Sequence, residues 1–407
     1  MRPYDGRRVI LGVTGGIACY KAVSLARLLS QAGAVVDVIM SRAAREFVGP
    51  ITFEAVTGRP VAPDILDQGH ALAHIRLAKE AELVIIAPAT ADFLARAAAG
   101  RADDQMTAVL LATRAPVLVA PAMNDGMWSH TLVSKNVQTL RDTGYEMLDP
   151  DVGALAFGEG VGPGRLPEAD VLFAHAGRLL ETAKSLAGRH IVVTAGPTRE
   201  LLDPVRYITN HSSGRMGVAI AAAAWRRGAH VTLVHGPVEV PLPVGSDKIA
   251  VTTTAEMRNA IADVLPSADA LMMAAAPADF RAAAISLQKI KKNEHAPTIA
   301  LEHTDDILSS TRSLRKQGAI VMGFALETTS VEEHARAKMA RKGLDFIVAN
   351  DATETGAGFG TDTNRVVILA ANGDRETPPL MSKIALADVL LDRIAREFLD
   401  REFVART

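Results

Sequence analysis

Apolar residues along this chain fall into two recurring patterns. Arg8–Thr14, Leu83–Ala87 and Pro116–Ala120 are short apolar runs without the alternation of a half-exposed strand. They read as parallel strands buried on both faces. Ile17–Gln31 has helical spacing instead, with Ala18, Ala22, Leu25, Ala26 and Leu29 on one face and Gly33 at its end. With a strand at Val35–Met40 this makes a βαβ unit. The series restarts at His190–Ala195, followed by a helix at Val218–Arg227 and strands at His230–Val234, Ala270–Ala276, Ile320–Phe324, Phe346–Asn350 and Arg365–Ala370. Helices are expected at Pro167–Ala187, Glu332–Lys342 and Lys383–Phe398. The prediction is an α/β protein of two Rossmann-like three-layer domains with largely parallel sheets, residues 1–187 and 188–407, with the seam at Ala187-Gly188.

Each series opens on a glycine turn. Gly15-Gly16 precedes the first helix, and Ser212–Gly217 precedes the helix of the second half. A glycine turn at a helix N-terminus offers backbone N–H groups and the positive dipole end to an anion. The first turn is not a full G-x-G-x-x-G, and Ser41 stands where a ribose-binding acid would end the second strand, so FMN is expected over NAD. Two strands run into Ala-Pro-Ala turns, at Pro88–Asp92 and Pro121–Asn124. Such turns put small residues at the carboxyl edge of the sheet, where α/β proteins bind ligands. His70 and His74 are read as an i,i+4 pair on a helix, open to a surface, metal or catalytic-base role. Asp149–Arg165 carries five glycines and is expected to be a loop serving as a lid. In the second half Asp279 follows another strand-end turn, either as a helix cap or as a Mg²⁺ ligand. Lys289, Lys291 and Lys292 crowd one stretch, Lys338 and Lys342 share one helix face, and Phe359–Asn364 reads as a hairpin-like turn.

Composition narrows the field. At 407 residues, two cores are expected. A net charge of −2 argues against a nucleic-acid-binding surface. The single cysteine, Cys19, excludes an intrachain disulfide and a cysteine zinc site. There is no signal-like apolar region and no apolar run of about 18 residues, so a cytoplasmic protein without a membrane partner is expected.

The order GGIACYKA, HIRLAKEAELVIIAPATAD, PAMN, GEGVGPGR, TAGPTRELLDPVRYITNHSSGRMG, AAAPADFR, KIKK and KxxxKGxDFIVAN closely resembles the bifunctional phosphopantothenoylcysteine decarboxylase/phosphopantothenate–cysteine ligase (Dfp flavoprotein) family over nearly the whole chain. The resemblance implies FMN held by Gly15, Gly16, Ile17, Ser41, Pro88, Ala89, Thr90 and Asp92. It makes His74 the catalytic histidine, sets Asn124 and Met123 at the substrate carboxylate, and puts Arg165 in a clamp over the substrate. In the second half it assigns Asn210 to stabilising an acyl-cytidylate and Lys289 to the later attack by cysteine. Asp279 would lie near Mg²⁺ and nucleotide; Ser212, Gly214, Ala276, Phe324, Lys338 and Lys342 would line the CTP site. The partners implied are 4′-phosphopantothenate, cysteine and CTP, and the assembly a homo-dodecamer of flavoprotein trimers tied by ligase dimers. The chemistry suits these residue types. Flavin oxidises the thiol so that decarboxylation gains an electron sink, and lysines with Mg²⁺ offset the charge of CTP.

One departure stands out. Family members commonly carry cysteine in the clamp as proton donor, where this chain has Ala156-Phe157-Gly158-Glu159. Glu159 is the nearest substitute donor in sequence, if an apolar lid beside Phe157 raises its pKa, and Cys19 a weaker one. Two alternatives follow. One is an active ligase whose flavin half stops after oxidative decarboxylation. The other is a non-enzymatic flavin-binding regulatory subunit, disfavoured by the ligase half and the lack of an acidic tail.

Overall fold

The computed structural model describes residues 2–70, 72–291, 298–327, 329–351 and 361–406. The chain divides into two compact units, Met1–Thr182 and Ala183–Thr407. This division falls ahead of the Ala187-Gly188 seam read from the sequence, because Leu186 is already in the second core and its N–H donates to Arg227 O.

In the first unit the strands are β1 (Arg8–Val13), β2 (Val35–Met40), β3 (Leu83–Ala89), β4 (Val117–Pro121) and β5 (Glu146–Met147). They form a parallel sheet in the order β2-β1-β3-β4-β5. Every residue of β3 and β4 is buried, as their unbroken apolar runs require. Helices α1 (Cys19–Gln31), α2 (Arg42–Phe47), α3 (Pro50–Thr57), α4 (Ala73–Glu80), α5 (Ala91–Ala98), α6 (Gln105–Ala112), α7 (Asp125–Trp128), α8 (Thr131–Asp142) and α9 (Ala169–Leu180) connect and flank it. The buried face of α1 carries Ala22, Leu25, Ala26 and Leu29, as the spacing predicts. Two cores lie on opposite faces of the sheet, one around Val9, Leu11, Leu83 and Leu118 and the other around Ile10, Val84, Ile86 and Val119.

Three expectations need correction. His70 lies ahead of α4, in a turn where its C=O accepts the Ala73 N–H, so His70 and His74 do not share a helix face. The Asp149–Arg165 stretch is a two-stranded ribbon, β6 (Asp151–Ala154) against β7 (Val161–Arg165), rather than a structureless loop. It lies outside the main sheet, so it need not supply the side chains that a central strand packs on both faces. The helix expected over Pro167–Ala187 stops at Leu180, and Lys184 adopts a positive φ of 42° that no helix accommodates.

In the second unit, β8 (His190–Ala195) leads to a hairpin of β9 (Arg199–Leu201) and β10 (Tyr207–Thr209), and then to α10 (Arg215–Arg226). There follow β11 (His230–His235), β12 (Asp247–Ala250), α11 (Thr254–Val264), β13 (Ala270–Met273), the short pair β14 (Phe280–Ala282) and β15 (Leu301–His303), and α12 (Ile307–Ser310). The chain continues through β16 (Ile320–Glu327), α13 (Val331–Lys342), β17 (Phe346–Asp351), β18 (Thr363–Asn364), β19 (Val367–Ala370), β20 (Arg375–Glu376), β21 (Met381–Ser382) and α14 (Lys383–Arg406). The main sheet runs β12-β11-β8-β13-β16-β17-β19-β20, parallel as far as β17. Strand β13 ends at Met273, short of the Ala276 expected, because Ala274–Ala276 turn to meet the loop after β8. Behind the sheet, α10 and α14 are joined by buried ion pairs: Arg227 with Asp388 at 2.8 Å and Asp392 at 2.7 Å, and Arg226 with the same Asp388. Lys292, and Phe359 and Gly360 of the expected turn, lie outside the described residues.

Candidate functional site

Both parallel sheets reverse their strand order at one place, between β1 and β3 in the first unit and between β8 and β13 in the second. Loops leaving the strands on either side diverge there and open a crevice at the carboxyl edge.

In the first unit this edge is built around Thr14, which is buried. Its hydroxyl donates to Pro88 O at 2.8 Å and accepts the Thr90 N–H at 3.0 Å. The Gly15-Gly16 turn and the Pro88–Thr90 turn are thereby locked together. Gly15 approaches α2 so closely that a Cβ there would lie 2.3 Å from the Ala43 Cβ. Ser41 caps α2, its Oγ accepting the Ala44 N–H at 3.1 Å, which leaves the O–H to donate elsewhere. No side chain caps the start of α1, and Ile17 beside it is exposed. An uncapped helix N-terminus, a glycine turn and a serine hydroxyl at one edge are the donor set a phosphate needs. The Ala122 N–H donates to Ala89 O and the Met123 N–H to Gly164 O, so the Pro121–Asn124 turn and the ribbon join the same edge. Asn124 accepts the Gly126 N–H through Oδ1 at 2.9 Å, keeping its amide N–H₂ as a donor. His74, in the first turn of α4, has a buried Nδ1 without a hydrogen-bond partner among the described residues. A buried, unsatisfied ring nitrogen fits a polar ligand brought from outside the chain.

Other expected residues are engaged differently. Asp92 is exposed and pairs with Arg96 at 3.0 Å. Arg165 pairs with Glu168, which also receives the buried Lys21 ammonium at 3.0 Å. Hydrogen bonding from Lys21 holds the Glu168 carboxyl below the usual range, with Arg165 adding to it. Phe157 and Glu159 are both exposed at the ribbon tip, so no apolar lid covers Glu159. Cys19 is buried with its thiol donating to Thr14 O at 3.1 Å, and burial pushes its pKa up. Sequence reasoning passed over Gln105, whose buried amide has no partner for either polar atom among the described residues. A lone glutamine opening the apolar helix QMTAVLLA was the available signal.

In the second unit a cavity of about 750 Å³ opens at the β8/β13 edge. Gly214 starts α10 with φ +73°, and a Cβ there would lie 2.4 Å from the Val238 Cγ1. Ser212 Oγ accepts the Gly214 N–H, and the turn presents Ser212 and Gly214 to the cavity. Asn210 reaches across the switch, its amide donating to Pro277 O at 2.9 Å, beside Ala276 and Asp279. From the far wall come Lys338, donating to Phe324 O at 2.9 Å, and Lys342, 3.1 Å from Asp306. Burial alone would raise the Asp306 carboxyl, but Lys342 and the Ser309 N–H bring it below its ordinary value. The seven residues expected at the nucleotide, and Asn210, therefore line one cavity. Lys289 does not line it: it is exposed on a separate segment. Three further cations do: Arg341; Arg215, paired with Asp362; and Lys383, donating to Thr361 O at 2.6 Å. Burial, with Arg215 nearby, pushes the Lys383 ammonium below its usual range. A second cavity of about 640 Å³ shares Asn210–Ser213 and Arg215 with the first. No group of three His, Cys, Asp or Glu side chains suited to a metal occurs among the described residues, and no helix there is long and apolar enough to cross a membrane.

Two family models match successive parts of the chain. The family described as Flavoprotein matches residues 1–177, and the one described as DNA/pantothenate metabolism flavoprotein C-terminal domain matches residues 186–398. The chain is 45% identical over 398 residues to the coenzyme A biosynthesis bifunctional protein CoaBC of Vibrio cholerae, covering 97% of this chain and 99% of that protein. It is 44% identical to the Escherichia coli K12 protein of the same name, covering 97% and 98%. Among solved structures, the C-terminal domain of a coenzyme A biosynthesis bifunctional protein CoaBC matches at 35% identity and a TM-score of 0.46, over 53% of this chain and 99% of that one. From its two family matches and these full-length relatives, the chain belongs to the bifunctional coenzyme A biosynthesis enzymes, with a flavoprotein half followed by a pantothenate-metabolism half.

Proposed function

We propose that the second unit joins 4′-phosphopantothenate to cysteine at the expense of CTP, and that the first decarboxylates the resulting phosphopantothenoylcysteine to 4′-phosphopantetheine with FMN. The observation that carries the ligase reading is the convergence of Lys338, Lys342, Lys383 and Arg215 on one cavity with Asn210. A triphosphate needs such a set of cations, and Mg²⁺ bound through Asp279 and the phosphates themselves needs no three-residue cage. The cavity that shares Asn210–Ser213 with it is a place for phosphopantothenate. On this reading the substrate carboxylate oxygen attacks the α-phosphorus of CTP, expelling pyrophosphate. The amine of cysteine then attacks the acyl carbon and expels CMP. Asn210 stands where the two cavities meet, suited to orient the activated acyl group, while Lys338 and Lys342 offset the charge of the leaving pyrophosphate.

In the flavin half, Thr14 fixes the two turns that receive the ring, and Ser41 with the α1 N-terminus takes the phosphate. When bound, FMN supplies the electron sink for decarboxylation by reversible oxidation of the substrate thiol. His74 holds or moves a proton through its unsatisfied Nδ1, and the Asn124 amide orients the departing carboxylate. The same reading assigns a cytoplasmic enzyme assembled as flavoprotein trimers linked by ligase dimers.

A second reading keeps the ligase but ends the flavin chemistry after oxidative decarboxylation. It is favoured by the ribbon tip, where Phe157 stands in place of a thiol, and by Cys19, whose buried S–H is committed to Thr14 O. Anaerobic incubation with excess phosphopantothenoylcysteine separates the two. Many turnovers per flavin, with CO₂ and phosphopantetheine in equal amounts, support the full cycle; one CO₂ per flavin supports the second reading.

A further inference from the structure

Asp203 is fully buried between β9 and β10, and nothing in the mechanism above uses it. A carboxylate without solvent is tolerated only where donors replace water. Asp203 has five such bonds. Its Oδ1 accepts the Val205 and Arg206 backbone N–H groups, each at 2.8 Å. Its Oδ2 accepts the Arg206 side chain at 2.9 Å from Nε and 2.6 Å from Nη2. The fifth bond comes from the Ile290 N–H at 3.1 Å, from a segment distant in sequence. Burial alone would raise the carboxyl, but these N–H donors outweigh it and keep the group ionised far below the usual carboxylate range.

Four of the five bonds are local, two from the backbone of the turn and two from the Arg206 side chain three residues on. The fifth grips the residue next to Lys289. Arg206 doubles the grip, its Nη2 donating to Ile290 O as well. The Ser286 N–H donates to Leu202 O at 3.0 Å, and the Ser286 hydroxyl donates to Gln288 O at 2.6 Å. Leu287 and Lys289 themselves are exposed and add no packing. Residues 284–291 belong to no helix or strand, and the hydrogen bonds that Ser286 and Ile290 make to the rest of the unit run to the turn around Asp203. From that turn β10 runs directly into Asn210, while Arg199 and Tyr207 of the same hairpin line the second cavity. One turn thus sets both the wall carrying Asn210 and the backbone from which Lys289 projects.

We propose that Asp203 is a positioning residue of the ligase: by gripping the Ile290 N–H and the Arg206 guanidinium, it fixes the Lys289 segment to the hairpin that carries Asn210. The proposal rests on the ligase reading and on Lys289 serving it. Loss of the grip leaves Lys289 present and misplaced, and a displacement of about 1 Å in a catalytic group can cost about 10²-fold.

The test uses the full chain and measures the two half-reactions apart: pyrophosphate release from CTP and phosphopantothenate without cysteine, and amide formation on adding cysteine. Asp203→Asn, Lys289→Ala and the double variant are compared. The expected result is a loss of about 10²-fold in whichever half-reaction Lys289→Ala impairs, with the double variant no slower than Lys289→Ala alone. Hydrogen exchange at residues 284–291 should accelerate at least about tenfold in Asp203→Asn, with β13 and β16 unchanged. Ile290→Pro deletes the long-range donor while leaving the buried carboxylate its four local ones, and should give the same half-reaction defect even if Asp203→Asn fails to fold. Wild-type half-reaction rates in Ile290→Pro, or additive losses in the double variant, would overturn the proposal. A wild-type chain that releases no pyrophosphate would instead overturn the ligase reading.

Discussion

At the β1/β3 edge, the residues that face the ligand site are held mainly through main-chain atoms: Thr14 to Pro88 O and Thr90 N, Met123 N to Gly164 O, Ala122 N to Ala89 O. At the β8/β13 edge, the same topology carries charge on side chains, with Lys338, Lys342, Lys383 and Arg215 around one cavity. A flat ring with one phosphate asks for close backbone approach and one anion site. A nucleoside triphosphate asks for several cations. Strand order fixes where each site lies, and the loops decide what it can hold.

Crossed substitutions give the sharpest break of this comparison. His74→Asn should lower decarboxylation by about 10²–10⁴-fold and leave ligation intact. Lys342→Ala should lower ligation by about 10²–10³-fold and leave decarboxylation intact. Both rates are measured on each variant, and any shared loss would contradict separate sites.

Next in size is a stability effect confined to one half. Asp388 is buried between Arg226 and Arg227, and the Arg227 guanidinium, though burial opposes its charge, is driven up by Asp388 and Asp392. Asp388→Ala removes the buried carboxylate that Arg226 and Arg227 share, leaving Arg227 its Asp392 pair at 2.7 Å, and should cost about 3 kcal/mol. Differential scanning calorimetry should show the transition of the second unit falling while flavin absorbance is retained.

Thr14→Val is smaller. It removes the hydroxyl that satisfies the Thr90 N–H and should cost about 1–3 kcal/mol, with weaker flavin retention on dialysis and unchanged pyrophosphate release.

The smallest effect is pH-dependent. Burial would raise the Asp104 carboxyl, but Arg96 and the Thr107 N–H and O–H together lower it below its ordinary value. A depressed carboxylate contributes stability that is fully present above its unfolded value of about 3.9 and is lost as the pH falls from there through its folded value. Asp104→Asn should therefore flatten acid unfolding below about pH 4, and should cost no more than about 1 kcal/mol at neutral pH, because asparagine still caps α6 and only the partly exposed Arg96 pair is lost.

Much of this was legible in the sequence because it is local. The buried strands announce themselves as unbroken apolar runs, and α1 by its spacing. Lys338 and Lys342 share a cavity because one helix turn separates them. What escaped depends on pairs distant in sequence. Asp203 meets Ile290 and Arg227 meets Asp388 only after the sheet forms, and no periodicity marks either pair. The ribbon of β6 and β7 was missed because its glycines argue against a central strand, whereas this pair lies outside the main sheet. Lys289 is expected to serve the same reaction as the cavity residues, yet the segment carrying it lies apart from the cavity and is tied to the hairpin instead.

The most direct measurement is a single incubation of the purified chain, without oxygen, with 4′-phosphopantothenate, cysteine, CTP and Mg²⁺, followed by mass spectrometry over many turnovers. The account predicts CMP, pyrophosphate, CO₂ and 4′-phosphopantetheine in equal amounts, with phosphopantothenoylcysteine appearing only transiently. Accumulation of phosphopantothenoylcysteine, or CO₂ limited to one per flavin, would contradict it.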